Sequence, residues 1–560
     1  KTFKSSLLGI IVCSILILLI SQSFKIPVPR SVPFIFMIMF FLSVNGKRFI
    51  LKYIYTIVTK KNSKKVAIYG SNSKGLQILN ALINNQNYNP IFFIEKNFHN
   101  SWKEIGGLEI VKLKDAAKNL QKHGIDIVLI SLPNTSIKER SEIVNELQKC
   151  NVEVKVVPSI TDLIENKVSI KDLPNIDIED LLGRDIIPPK EHLMTKNIKD
   201  KVVMVTGSGG SIGSELTKQI INIKPNILIL VDFSEYSLYR INEKMKEKLK
   251  NNNSNIEIIP ILGNVLDIEL LKNIFMNFNI DIIFHVAAYK HVPMIEHNIV
   301  SGIKNNVFGT LNLVKYSIEY QVKNFILVST DKSVRPTNFM GASKRLAEII
   351  CQSYDTKQNT TKFSIVRFGN VVGSSGSVFS IFKNQIQHGG PITVTHKDVT
   401  RYFMTISEAA QLVIQASSMA KGGDIFLLDM GEPVKILDFA KKMANLSGLK
   451  PYMSDDQNPE GDIAIEISGL RPGEKLYEEL LISNNPQGTE HQRIWVAHEK
   501  FLSFEDLQIL LKKLDIYIKN YDVVEIQNLL KTYLEDFKKS KVGNDYLNKI
   551  KKNKILKLFK

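Results

Sequence analysis

At 560 residues the chain is long enough for two or three domains, and with 44% apolar and 23% charged residues it can build ordinary cores. Three cysteines (Cys13, Cys150, Cys351) show no pairing pattern, which excludes a disulfide scaffold, and no Cys/His cluster offers a metal site. The net charge of +17 sits at the ends: residues 1–65 hold eleven Lys/Arg and no acid, residues 538–560 hold nine Lys and one Asp, and the rest sums to −2. Charge placed so, beside apolar segments, points to membrane lipids and argues against a nucleic-acid partner.

Residues 1–64 read as a membrane anchor with a basic juxtamembrane segment. Two uncharged runs, Leu7–Ile20 and Val32–Val44, flank a linker with Pro27 and Pro29, and predict a helical hairpin. The seven Lys/Arg from Lys47 to Lys65 place the remainder of the chain on the cytoplasmic side. Residues 65–165 read as a small Rossmann-like α/β domain. Its strand KVAIYG runs into the turn Gly70-Ser-Asn-Ser-Lys-Gly75, where Asn72 stands in the place of a middle glycine, and Ile91–Ile94 ends at Glu95. Two readings stay open for this domain: a degenerate nucleotide site, or a structural or docking domain. The missing glycine and the lack of a following catalytic cluster favour the second. Residues 166–200 read as a linker.

The main domain, 201–500, opens on VVMVTGSGGSIG. A run of β-branched residues meets Gly207-x-x-Gly210-x-x-Gly213 and a helical pattern comes next, so backbone can approach a pyrophosphate at a helix N-terminus. Asp232 ends the next apolar run, 19 residues after Gly213, where a carboxylate accepts both ribose hydroxyls of NAD and repels the 2′-phosphate of NADP. Ser211, Ile212, Val265 and Ala287 complete the expected cofactor site. Asn264, in GNVLD after the third strand, can accept from an adenine amino group or simply hold a turn. Strand candidates Val202–Thr206, Ile227–Asp232, Ile256–Leu262, Asp281–His285, Asn324–Ser329 and Phe363–Arg367 alternate with helices, which predicts a parallel, doubly wound sheet. Residues 501–560 read as a helical, basic tail. Its end, Lys549–Lys560, fits either a basic amphipathic helix on a lipid surface or a solvated tail.

The motifs TGSGGSIG, VAAYKHVP, NVFGT, STDKSVRPTN, MGASKRLAE, RFGNVVGSSGSV, TRYFMTISEA, LDMGEP and GLRPGEKLYEEL succeed one another in order over about 200–490. This ensemble resembles the extended short-chain dehydrogenase/reductase superfamily and, more narrowly, the membrane-bound UDP-N-acetylglucosamine 4,6-dehydratases of bacterial surface-glycan pathways. The resemblance implies an α/β fold with a small C-terminal substrate-binding part, tightly held NAD, a homo-oligomer, and a location at the bacterial inner membrane with the catalytic domain in the cytoplasm. It also implies a redox-neutral dehydration. A hydride leaves sugar C4 for NAD, the C5 proton and the C6 hydroxyl are lost, and the hydride returns to C6.

The resemblance also implies roles. Lys344 holds the nicotinamide ribose and places charge near the C4 oxygen, and Thr330 bonds that oxygen. Asp331 protonates the leaving C6 hydroxyl, which needs a raised pKa. Lys332 takes the C5 proton if burial and nearby Lys344 depress its pKa. Asn370, Arg401 and Arg471 meet the diphosphate; Glu474 orients Arg471 or meets a ribose hydroxyl; Lys290 and Asn306 complete the substrate site. One position departs from the superfamily: Met340 stands where Tyr usually takes the C4 hydroxyl proton, four residues before Lys344. The base there is then Asp331, Lys332 or a relayed water. Two rivals remain, a UDP-sugar 4-epimerase and a non-catalytic membrane scaffold in which Met340 marks a dead site.

Overall fold

The computed structural model describes residues 63–83, 87–96, 104–130, 152–157, 187–252, 256–456, 459–481 and 486–538, with scattered residues within 9–50, 142–150 and 545–547. The expected transmembrane hairpin over residues 1–64 is not supported: among the described residues no helix is long and apolar enough to cross a membrane. The run Val32–Val44 is itself shorter than the roughly 20 residues that a span requires. Most of residues 1–62, residues 158–165 at the end of the expected small domain, residues 166–186 of the expected linker and the basic end 548–560 lie outside the described residues. The chain divides into two compact units, a smaller one of Lys1–Thr135 and Asn145–Ile176 and a larger one of Ser136–Val144 and Asp177–Lys560.

The smaller unit holds β1 (Lys64–Tyr69), α1 (Ser73–Ile83), β2 (Tyr88–Glu95), β3 (Glu104–Ile105), β4 (Leu108–Lys112), α2 (Leu113–His123), β5 (Ile127–Ile130) and β6 (Glu153–Val156). Its six-stranded sheet runs β3-β4-β2-β1-β5-β6, parallel except at β3. The strands are buried on both faces, with Val66, Ile68, Phe93 and Leu129 fully enclosed, which is why they read as continuous apolar runs.

The larger unit is built on β7 (Val202–Thr206), α3 (Ser211–Asn222), β8 (Ile227–Asp232), β9 (Glu257–Leu262), β10 (Ile282–His285), β11 (Asn324–Thr330), α4 (Phe339–Asp355), β12 (Lys362–Phe368), β13 (Asp424–Leu428), β14 (Gln487–Gly488), β15 (Ile494–Ala497), α5 (Phe504–Lys519) and α6 (Val523–Tyr533). Nine strands run in the order β14-β15-β13-β12-β11-β10-β7-β8-β9. From β13 to β9 all neighbours are parallel, as the alternation of strands and helices predicts, and each expected strand is present within two residues. The strand order reverses between β7 and β10. That switch point opens a crevice at their C-terminal ends, where a ligand can sit.

Two stretches differ from expectation. Residues 187–200, read as linker, pack on the helix Ile406–Met419: Leu193 and Ile198 are buried, and Lys190 and Ser418 bond across the contact. The segment after residue 500 belongs to the core. Leu507, Leu510, Leu511 and Leu514 of α5 and Ile526 and Leu530 of α6 pack in the same cluster as α4. The helix α4 is buried from Phe339 to Tyr354. Its outer side is covered within the chain: Gln508 bonds the Tyr354 hydroxyl, Ser353 bonds the Leu502 carbonyl, and Phe504 meets Tyr354 edge to face.

Candidate active site

The glycine turn after β7 is shaped by close approach. Gly207 has φ +68°, and a Cβ there would lie 2.8 Å from the Ala287 nitrogen. A Cβ on Gly213 would lie 2.0 Å from the Gly207 oxygen, so strand and helix cross with no side chain between them. Gly210 is the N-cap of α3 and supplies no side-chain cap, which leaves the first turn of that helix open. Asp232, buried at the end of β8, accepts from the Gly209 and Ser234 nitrogens at 2.8 and 2.9 Å. Ser211 accepts from the Ser375 nitrogen at 3.3 Å. Asn264 accepts from the Leu266 nitrogen at 2.9 Å, so its oxygen holds a turn, and Val265 is buried beside Gly309. Beneath the turn His285 lies between the Thr206 and Thr310 hydroxyls, and burial, with Lys344 nearby, pushes its pKa down to about 3. A neutral ring there adds no charge to the crevice.

At the end of β11 the chain enters a short turn, Asp331–Ser333. Asp331 is fully buried. Its Oδ1 accepts from the Thr330 hydroxyl at 2.8 Å and from Lys332 Nζ at 2.9 Å, while its Oδ2 has no partner among the described residues. The turn is anchored from below. Ser329 and Ser333 both donate to Glu348 Oε1, and Glu348 is gripped by Arg367, which also pairs with Glu499. Burial opposes the charge on Glu348, but Arg367 and Arg345 outweigh it and hold the carboxyl at about 2. Lys344 reaches up from α4 and donates to the Val328 carbonyl at 2.8 Å; burial pushes it down to about 8. Met340 lies one turn before it, buried against the cavity.

Lys332 corrects an expectation. Burial lowers its pKa, but Asp331 and Glu478 outweigh burial and raise it; Lys344 is not among the groups that act on it. Glu478, at 3.6 Å from Lys332 Nζ, is itself raised by burial and by Asp331, against Lys332 and Arg401. The motif GEKLYEEL contains this residue, yet sequence reasoning passes over it. The signal available is its spacing, four residues beyond Glu474.

A cavity of about 430 Å³, formed within the larger unit, gathers Thr330, Lys332, Lys344, Asn370, Arg471 and Glu474, together with Ile212 from the glycine turn and Lys290. Asn370 turns its Oδ1 to Lys332 Nζ at 3.3 Å, so it sits at the lysine. Arg401 also lines the cavity, but its guanidinium is engaged by Glu474, the Thr400 carbonyl and the Leu476 carbonyl, which makes it the tie of the 471–478 loop. Glu474 accepts from the Arg471 backbone nitrogen and does not pair with its guanidinium; among the described residues no carboxylate pairs with Arg471, which is exposed at the cavity. Asn306 is buried outside the cavity. It bonds both backbone groups of Tyr289 and the Ser343 hydroxyl, bracing the loop after β10 against α4. Among the described residues no cluster of side chains could hold a metal ion.

A doubly wound sheet, a glycine turn at its switch point and a Thr-Asp-Lys turn facing an α4 lysine define a dinucleotide-binding α/β enzyme scaffold of the short-chain dehydrogenase/reductase type. Residues 203–499 match the family described as polysaccharide biosynthesis protein, and the chain belongs to that family. It is 36% identical over 520 residues to the capsular polysaccharide biosynthesis protein CapD of Staphylococcus aureus, covering 91% of this chain and 81% of that one. It is 32% identical over 288 residues to a UDP-glucose 4-epimerase of Rickettsia canadensis, covering 51% and 79%. Among solved structures it is similar to DesIV, a dTDP-glucose 4,6-dehydratase from Streptomyces venezuelae with NAD bound, at 18% identity and TM-score 0.42, over 57% of this chain and 97% of that one.

Proposed function

We propose that this chain is an NAD-dependent enzyme that dehydrates UDP-N-acetylglucosamine across C4–C6 to a UDP-4-keto-6-deoxy sugar for polysaccharide synthesis. The observation that carries the reading is the Thr330-Asp331-Lys332 turn, set beside Lys344 and Met340 at the edge of a dinucleotide turn. The cofactor is NAD, which when bound supplies the hydride acceptor and donor. Gly207, Gly210 and Gly213 give its pyrophosphate room, and the buried Asp232 carboxylate at the end of β8 favours ribose hydroxyls over a 2′-phosphate. Lys344 places a cation by the sugar C4 oxygen, Thr330 bonds that oxygen, and the C4 hydroxyl proton passes to Asp331 as C4 is oxidised to the ketone. Lys332, once it gives up its proton, takes the proton from C5. Asp331 gives a proton to the C6 oxygen, the C–O bond breaks and water leaves, and Lys332 then returns a proton to C5. Arg471, which pairs with no carboxylate among the described residues, offers its guanidinium to the diphosphate.

A 4-epimerase needs one proton carrier at O4, whereas here Lys332 faces the cavity between Glu478, which also lines it, and the buried Asp331 behind it, which supports the dehydratase reading over the epimerase. The test is an NMR time course of the full chain with UDP-N-acetylglucosamine, without added cofactor and then with NAD. A 6-methyl signal with a 4-ketone or its hydrate, and deuterium at C5 in D₂O, are expected. UDP-N-acetylgalactosamine alone makes the chain an epimerase, and no turnover with NAD overturns the reading.

A further inference from the structure

Lys332 is enclosed by oxygen acceptors from three elements, two of them carboxylates. Asp331 approaches from its own turn at 2.9 Å, Glu478 from the 471–478 loop at 3.6 Å, and Asn370 from the strand end beyond β12 at 3.3 Å. The cations Arg401, 3.7 Å from Glu478, and Lys475 bear on Glu478 from the other side. Glu478 is buried, with its side chain only 3% exposed, and its Oε2 has no hydrogen-bond partner among the described residues, like Oδ2 of Asp331. A buried carboxylate oxygen without a donor is costly, and natural cores keep few of them unless a ligand or a proton occupies the place. The Thr330-Asp331 pair is fixed by the Glu348 network beneath it, whereas among the described residues the Glu478 carboxylate is held by ion pairs only.

We propose that Glu478 is a positioning residue that acts through Lys332: it holds the lysine between two carboxyls and stores the proton that the lysine must release before it can serve as a base. In this step one N–H bond of the Lys332 ammonium breaks and an O–H bond forms on Glu478, leaving a neutral amine beside a neutral acid. The reverse transfer recharges the lysine after the sugar is reprotonated. No co-reactant is needed. The 3.6 Å separation closes by a small rotation of the flexible lysine stem. With Met340 in the usual place of Tyr, Glu478 gives the cavity a second carboxyl to share in proton traffic. The use of Lys332 as base rests on the dehydratase reading; the electrostatic link between Glu478 and Lys332 does not.

The experiment compares wild-type full chain with Glu478→Gln and Glu478→Asp. First, the pH midpoint for modification of Lys332 by a small amine-reactive reagent is followed by peptide mass spectrometry, which requires no turnover. Removing the carboxylate charge lowers the lysine pKa, so Gln is expected to move the midpoint down by about one unit or more and Asp by less. An unmoved midpoint in the Gln variant overturns the proposal, whatever the activity. Second, the limb of the kcat profile that requires neutral Lys332 is expected to move the same way, with kcat reduced at least about tenfold and KM within about threefold. A loss of activity that tracks a lower Tm, with both pH profiles unmoved, marks a merely structural role and also overturns it. Failure of the wild-type chain to form a 6-methyl product counts against the dehydratase reading and leaves the labelling result to decide this one.

Discussion

Two glycine turns, the six-residue Gly70–Gly75 in the smaller unit and the seven-residue Gly207–Gly213 in the larger, share a frame and differ at the residue that caps the following helix. Each comes after a strand flanked on both sides by parallel neighbours. In each, a Cβ on the last glycine would nearly coincide with the carbonyl oxygen of the first, at 1.9 Å for Gly75 and 2.0 Å for Gly213. Each neighbouring strand ends in an acid that accepts from the turn: Glu95 from the Ser71 nitrogen at 2.8 Å, and Asp232 from the Gly209 nitrogen at 2.8 Å. The difference lies at the helix N-terminus. Asn72 Oδ1 accepts from the Lys74 and Gly75 nitrogens at 3.1 and 3.0 Å, so the smaller unit caps its own helix. Gly210 leaves the equivalent place in α3 without a side-chain cap. The same N–H groups serve the fold in one turn and stay available to a phosphate in the other. Between the two readings that the sequence leaves open for the smaller unit, this cap supports the structural one.

The sharpest way to break the comparison is to apply one clash to both turns. Gly213→Ala forces a methyl into the Gly207 carbonyl, and Gly75→Ala does the same at Gly70. Each is expected to cost about 2–4 kcal/mol in its own unit. Only Gly213→Ala should weaken NAD binding, by more than about a hundredfold in calorimetric titration. Loss of NAD binding in Gly75→Ala would end the contrast between an open and a closed turn. Next in size is a pH effect confined to the larger unit. Lys344 is held at about 8 in the fold by burial, against its ordinary value of 10.5. Between those values the unfolded chain binds a proton that the folded chain does not, so stability rises with pH across that window; below pH 8 both forms bind it. Lys344→Met removes this slope. Its stability advantage over wild type should shrink by about 3 kcal/mol from pH 8 to 10.5 in denaturant titrations. A constant advantage would mean that the lysine is not desolvated as described.

Legibility in the sequence divides along the same line. The strands and the glycine spacing were readable because buried parallel strands are continuous apolar runs and because glycine is demanded where backbone crosses backbone. Asp331, Lys332 and Lys344 were readable through their motifs, but the charge state of Lys332 was not. It depends on Glu478, 146 residues further on and adjacent only after folding. Arg401 and Asn306 look from sequence like ligand-binding polar groups. In the fold their donors and acceptors are taken by Glu474 and by Tyr289, which only the tertiary contacts reveal. The helices α5 and α6 carried ordinary amphipathic spacing, yet no motif said that their apolar faces would cover α4. The apolar runs of residues 1–64 show the opposite failure: hydropathy suggested more than the described helices support.

Smaller effects sharpen the comparison by exchange. Gly210→Asn copies the cap of the smaller unit into the larger. Its side chain would compete with the cofactor pyrophosphate for the same N–H groups, so NAD should bind about 10–100-fold more weakly, the worth of one or two charge-assisted hydrogen bonds. Thermal stability without cofactor should hold or rise slightly, because the new side chain caps the helix. Equal loss of both would mean that Asn is simply not tolerated there.

The reverse exchange gives the smallest signal and the cleanest reading. Asn72→Ala removes the cap from α1 and exposes its first N–H groups; the expected cost is about 1 kcal/mol, seen as a lower melting point of the smaller unit. Asn72→Gly should cost only a few tenths, since glycine is tolerated at that position, and it restores the glycine that the turn lacks. If the cap alone separates the two turns, the Gly variant acquires measurable affinity for a dinucleotide at millimolar concentration while turnover by the larger unit is unchanged. If it acquires none, the side chain at position 72 is not the whole difference. The next group to test is then Glu95, which accepts from both the Ser71 nitrogen and its hydroxyl, a double engagement that the Gly209 contact of Asp232 lacks.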